Sequence, residues 1–220
     1  MKRRDPHSRR LILALVCAVA VLVFLALAFL ARGSGPDSLD AQVHTFVGAH
    51  RTDALSAFFK GYTGLGRWFV LAAAALAAIA ALTATARRRE AVFLFAAMTA
   101  ALLLDIALKL AFARSRPPLD QALVQAGGYS MPSGHSMSSA TFALALIVIA
   151  WPTRWRVPAT VLAATFALLM GVSRIYLGVH WLTDVLAGWA MAAAVVTGTM
   201  LIMDLVDDAR VARSKVVEKA

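Results

Sequence analysis

Cysteine is almost missing from this chain. Cys17 is the single one in 220 residues, so no intrachain disulfide can form. Acidic residues are scarce as well, 12 Asp and Glu against 22 Lys and Arg. A net charge of +10 would suit a nucleic-acid binder. The basic residues, however, cluster just outside long apolar runs, as the positive-inside rule arranges the loops of a membrane protein. Nucleic acid is therefore not an expected partner. There is no internal repeat and no low-complexity segment beyond Ala-rich stretches, which sets aside solenoids and arrays.

Apolar residues are what the chain has in excess. They make up 60% of it, and the mean hydropathy is +0.73. Soluble domains average roughly 45–50%. The excess falls in runs of about 20 residues, the length that crosses a bilayer. The composition thus predicts an integral membrane protein with one compact bundle and no separate soluble domain.

Residues 1–10 carry Lys2, Arg3, Arg4, Arg9 and Arg10. The apolar run 11–31 that follows is longer than a signal-peptide core of roughly 7–15 residues. It reads as a first transmembrane helix behind an uncleaved cytoplasmic N-terminus. Gly33-Ser34-Gly35-Pro36 breaks it. Over residues 38–60, Leu39, Val43, Phe46, Val47, Leu55, Phe58 and Phe59 recur near helical spacing. One or two short amphipathic helices are expected there, either on the outer membrane surface or packed on the bundle as ordinary loop helices. His44 and His50 lie in this stretch without convergent partners.

Further spans are expected at 68–86, 91–113, from Pro132-Ser133-Gly134-His135 to Trp151, at 157–171 and at 181–203. The fold class is then all-α: a six-transmembrane-helix bundle over residues 11–203, with a basic N-terminus 1–10 and a polar tail 204–220. Six spans put both termini on one side. The N-terminus, the triple Arg87-Arg88-Arg89, the Arg154/Arg156 turn and the tail then lie inside. The loops 32–66, 114–136 and 172–180 lie outside. Arg114 and Arg116 on an outer loop run against that rule, and function can override it.

Three polar groups fall at that outer face. Lys109, Arg116 and Pro117 end the third span, Pro132 to His135 open the fourth, and Arg174, His180 and Asp184 bracket the turn between the last two. Each has a plain structural explanation. Lys109 can snorkel or pair with Asp105 one helical turn away. Arg116 can be an interfacial anchor, and Ser133 can be an N-cap. Asp184 can be an acid favoured in a first helical turn. Taken together, three cations without three carboxylates leave positive charge that a bound anion would balance. The backbone N–H groups of Ser133, Gly134 and His135 at a helix start would add to an anion cradle. If His180 opens a helix, Asp184 lies one turn on and can hold one imidazole nitrogen, leaving the other free. Two imidazoles beside an anion site suit phosphoryl transfer.

Two other chemistries compete. His135, His180 and Asp184 could be zinc ligands, but three cations beside a divalent metal would repel it. Intramembrane charges also mark anion transporters, although here they gather at one face and do not line a span.

The runs Lys109-x6-Arg116-Pro117, Pro132-Ser133-Gly134-His135 and Ser173-Arg174-x5-His180-x3-Asp184 resemble, in order, the three signature motifs of the type 2 phosphatidic acid phosphatase (PAP2) superfamily. The resemblance implies a six-helix membrane bundle with an outward-facing site that needs no metal and no cofactor. Its substrate would be a lipid phosphate or pyrophosphate taken from among the membrane lipids. Within the family it points to bacterial undecaprenyl pyrophosphate phosphatases. Phosphatidic acid, phosphatidylglycerophosphate and diacylglycerol pyrophosphate are the alternatives. Carried over by position, it makes His180 the nucleophile, Asp184 its orienting acid and His135 the proton donor. Lys109, Arg116, Ser133, Gly134 and Arg174 would bind phosphate.

Overall fold

The computed structural model describes residues 6–32, 35 and 37–217. Lys2, Arg3, Arg4 and Lys219 of the basic clusters, and Gly33, Ser34 and Pro36 of the break, lie outside the described residues.

The described residues form eight α-helices and two 3-10 turns. Helix α1 spans Pro6–Arg32 and starts earlier than the apolar run. Two short helices follow, α2 (Leu39–Ala49), capped by Ser38, and α3 (Asp53–Tyr62), capped by Thr52. Helices α4 (Trp68–Ala84), α5 (Arg88–Phe112), α6 (Gly134–Ala150), α7 (Arg156–Tyr176) and α8 (Leu182–Val217) complete the bundle. By length and composition, four helices can cross a membrane: α1, α5, α7 and α8. A fifth span arises if Asp53–Gly66 and Trp68–Ala84, bent by 53°, count as one. Helix α6 is apolar but shorter, at 17 residues. The protein is thus an all-helical, multi-pass membrane protein.

Two further boundaries differ from the sequence expectation. The apolar pattern of α7 fades near Gly171, yet the helix continues, so Ser173 and Arg174 sit in its last turns and not in a loop. They continue it because each finds a buried partner. Ser173 Oγ donates to Met170 O (2.6 Å), and Arg174 Nη1 donates to Thr63 Oγ1 (2.6 Å). The polar tail likewise stays helical to Val217, its carboxylates being matched by arginines from elsewhere: Asp204 and Asp208 meet Arg9 and Arg10 of α1.

Helices α6 and α8 form the centre of the bundle, and α1 packs along α8. Small residues let these helices approach, the usual device where lipid gives no hydrophobic drive to helix association. Ala97, Ala101, Met137, Ala187 and Met191 are buried together with Phe24. Gly188 brings α8 so near to α6 that a Cβ there would sit 3.0 Å from Ser133 O. The large apolar side chains point outward instead, with Phe29 74% and Leu162 72% exposed, as a lipid-facing surface requires.

Basic residues gather at one end. Arg89 bonds Asp204 and Asp207 (both 2.9 Å), and Arg87 Nη2 donates to Ile149 O (3.0 Å). These contacts join the start of α1, the start of α5, the end of α6 and the end of α8. The ends of α5 and α7 and the starts of α6 and α8 meet at the opposite end, and the three polar groups lie there.

Candidate active site

His180 sits in a tight turn, 177–181, between α7 and α8. Gly178 makes this turn possible at φ +72°, a left-handed conformation that side chains disfavour. His180 is not the opening residue of α8, which starts at Leu182. The expected relation to Asp184 is still met, because Trp181 is the N-cap and Asp184 the third helical residue. The Asp184 carboxylate reaches back to accept from Trp181 N (2.9 Å), the return half of a capping box. His180 Nδ1 lies 3.4 Å from Asp184 Oδ2 and 3.4 Å from Ser130 Oγ. Ser130 Oγ gives its own proton to Asp184 Oδ2, which leaves its lone pairs for the imidazole.

The other ring nitrogen, His180 Nε2, is 3.0 Å from Arg116 Nη1. A guanidinium has only donors, so Nε2 must present its lone pair and Nδ1 must carry the proton. Burial pushes the His180 imidazole down to about 4, against the hydrogen bond and charge of Asp184 that pull it up. The ring is therefore neutral at neutral pH, with a lone pair aimed at a cation.

Arg116 itself is locked by the loop around it. It donates to Val179 O (2.7 Å), Gly127 O (2.9 Å), Gly128 O (3.0 Å) and Tyr129 O (3.2 Å). Arg174 is 5% exposed, and its Nε has no acceptor among the described residues. Among the described residues, neither arginine has a carboxylate within salt-bridge reach. Lys109 is different, for it pairs with Asp105 (2.8 Å), as its spacing predicted, and also donates to Pro132 O. The excess of positive charge thus rests on Arg116 and Arg174 and not on all three cations.

His135 lies in the first turn of α6, half-buried, and forms no hydrogen bond to another described residue. It lies within the electrostatic reach of Arg174, His180, Lys109 and Arg116, so the fold brings the predicted set to one place. Its ring is backed by Gly66, where a Cβ would fall 2.8 Å from His135 Cδ2. Gly134 is small for a related reason: a Cβ would fall 2.9 Å from Asp105 Oδ2. Ser133 proves to be a cap. It is fully buried, accepts from Ser136 Oγ (3.0 Å) and sends its N–H to Asp184 O (3.0 Å), so it ties α6 to α8. His44 bonds Gln121 (3.2 Å) and His50 bonds Phe46 O (2.8 Å), both on other partners than the site.

Sequence reasoning missed Ser130, Thr63, Asp40 and the part played by Arg114. The one available signal was Arg114 itself, a second arginine on a loop where the charge rule disfavours any. Among the described residues, no three His, Cys, Asp or Glu side chains converge as a metal-ligand set.

Fold and site together define a class: a helical membrane protein with arginines, a lysine and two histidines gathered at one end of its bundle. Residues 90–207 match the PAP2 superfamily, and the chain belongs to it. Its structure is similar to that of a transmembrane PAP2-type phosphatidylglycerolphosphate phosphatase from Bacillus subtilis, with a TM-score of 0.70 and 28% identity over 82% of this chain and 94% of that one. In sequence it is 37% identical to phosphatidylglycerophosphatase B of Bacillus subtilis over 94 residues, 40% of this chain and 46% of the relative. It is 38% identical to an undecaprenyl-diphosphatase of Sulfolobus acidocaldarius over 65 residues, 30% of this chain and 29% of the relative. The matched stretch spans less than half the length of either of these two relatives.

Proposed function

We propose that this protein is a membrane lipid phosphatase that removes the terminal phosphate of a lipid phosphate or pyrophosphate through a phosphohistidine. The observation that carries this reading is the His180 ring, whose Nδ1–H is directed to Asp184 while its Nε2 lone pair faces Arg116. Nε2 attacks phosphorus and the bond to the leaving oxygen breaks. Arg116, Arg174 and Lys109 hold the phosphoryl oxygens, with the Gly134 and His135 N–H groups at the start of α6. His135 gives its proton to the leaving oxygen, then takes one from the water that attacks the phosphohistidine and releases phosphate. Ser133 serves by shaping the start of α6.

The substrate we assign first is undecaprenyl pyrophosphate, giving undecaprenyl phosphate. A second reading is phosphatidylglycerophosphate, favoured by the name of the structural neighbour at 28% identity. A lipid tail has a place to lie. An apolar groove of about 410 Å³, lined by Leu65, Leu71, Phe142 and Phe166, begins one residue from the Gly66 that backs His135. In our reading all six long helices cross the membrane. The end rich in arginine–aspartate pairs and both termini are cytoplasmic, and the site faces outward.

The test is phosphate release by the purified protein in detergent, with undecaprenyl pyrophosphate, phosphatidylglycerophosphate, phosphatidic acid and diacylglycerol pyrophosphate compared in EDTA. Turnover of at least one of them in EDTA is expected. Loss of all turnover in EDTA, restored by magnesium or zinc, would contradict the metal-free mechanism, and no turnover under either condition would end the phosphatase reading.

A further inference from the structure

The short helix α2 reaches the site through one buried ion pair. Asp40, in its first turn, is 3% exposed. Its carboxylate accepts from Thr183 N (2.9 Å), from Thr183 Oγ1 (2.6 Å) and from Arg114 Nη2 (2.6 Å). The other arm of the same guanidinium, Arg114 Nη1, donates to Asp184 Oδ1 (2.5 Å) and to Thr183 Oγ1 (2.7 Å). The guanidinium also lies over the Trp181 ring, 5.7 Å from its centroid.

The donors to Asp184 divide unevenly. Oδ2 has Trp181 N, Ser130 Oγ and His180 Nδ1. Among the described residues, Oδ1 has Arg114 alone. Without that arm the carboxylate could pivot about its χ2 and leave His180. Two buried carboxylates also face each other across this guanidinium, and without a shared cation they would repel. A planar fork can serve both at once, whereas an ammonium cannot match both directions.

We infer that Arg114, anchored by Asp40 of α2, is a positioning residue that fixes the Asp184 carboxylate and through it the attacking nitrogen of His180. This rests on the phosphatase reading above. It gives the segment before α4 a catalytic purpose beyond packing, because α2 becomes the outer support of the nucleophile.

The competing explanation is that Arg114 only pins α2 to the bundle, and a double-mutant cycle separates the two. Wild type, Arg114→Lys, Asp184→Asn and the double variant would be purified in detergent. Steady-state kcat and KM and the rate of phosphoenzyme formation would be measured with undecaprenyl pyrophosphate and with phosphatidylglycerophosphate. Arg114→Lys should lower kcat and phosphoenzyme formation by about 10- to 100-fold, the range for partners that orient a reacting group's holder, with KM nearly unchanged. In the Asp184→Asn background the same change should cost almost nothing, because the carboxylate it positions is already gone. Equal cost in both backgrounds, or wild-type kcat for Arg114→Lys, would overturn the inference. Should Arg114→Lys not fold, the near-isosteric Asp40→Asn carries the same cycle with a smaller loss. A wild-type protein inactive on these two lipids and also on phosphatidic acid and diacylglycerol pyrophosphate would strike the phosphatase reading itself, an outcome visible before any variant is made.

Discussion

Where α1 begins and α8 finishes, Arg9, Arg10 and Arg89 meet Asp204, Asp207 and Asp208. Where α7 finishes and α8 begins, Arg116 and Arg174 meet carbonyls, His180 and Thr63, and among the described residues no carboxylate within salt-bridge reach. The Arg89 side chain is 54% exposed, while Arg174 is 5% exposed with its Nε lacking an acceptor among the described residues. One end therefore cancels its charge in contact with solvent. At the other, Lys109 and Arg114 are paired, while Arg174 is buried, Arg116 is half-buried, and neither has a carboxylate partner among the described residues. Exposed pairs contribute little to stability, and an uncompensated buried cation is costly unless something anionic arrives. The contrast separates charge that fastens helices from charge held ready for a phosphoryl group.

Removing the nucleophile should have the largest effect. His180→Ala should lower turnover by about four orders of magnitude or more, as loss of a covalent nucleophile does, and should leave no trapped phosphoprotein on a quenched gel. Next come the uncancelled cations. Arg174→Gln or Arg116→Gln should each cost roughly 100- to 1,000-fold in kcat, the scale for losing one preorganised charge donor. An effect as small as that of a surface arginine would erase the contrast between the ends. Gly66→Ala is gentler. The added Cβ would press on His135 Cδ2 at 2.8 Å and Met170 Sδ at 2.6 Å. Displacing the proton donor should lower kcat about 10-fold or somewhat more. The defect should shrink with an aryl phosphate, whose leaving group needs no proton. The smallest effect belongs to the paired end: Arg89→Ala should leave kcat within about twofold and cost no more than about 1 kcal/mol, read from thermal unfolding in detergent.

Much of this was legible before any coordinates. The helix positions followed from apolar run length, because in lipid a backbone must satisfy itself within one segment. The pairing of Asp105 with Lys109 and of His180 with Asp184 followed from four-residue spacing. What the sequence hid depends on tertiary contact. The continuation of α7 through Arg174 requires Thr63 from a distant turn, and the helical tail requires Arg9 and Arg89. Asp40 gave no periodic signal, since one acid in an amphipathic helix looks like its solvent face. Ser133 had two readings from its position alone; the bond it accepts from Ser136 N makes it a cap, and its N–H to Asp184 O ties it to α8 as well. The excess charge was assigned to three cations by counting, whereas the distances assign it to two.

The central claim is that Nε2 of His180 becomes phosphorylated. Wild-type protein would be mixed with lipid pyrophosphate labelled in its terminal phosphate and quenched in alkali, where phosphohistidine survives. Mass spectrometry would then locate the label. The account predicts a phosphorylated His180 in the peptide spanning 175–210 and none at His135. Label on His135, or rapid turnover with no labelled histidine at any time point, would contradict it.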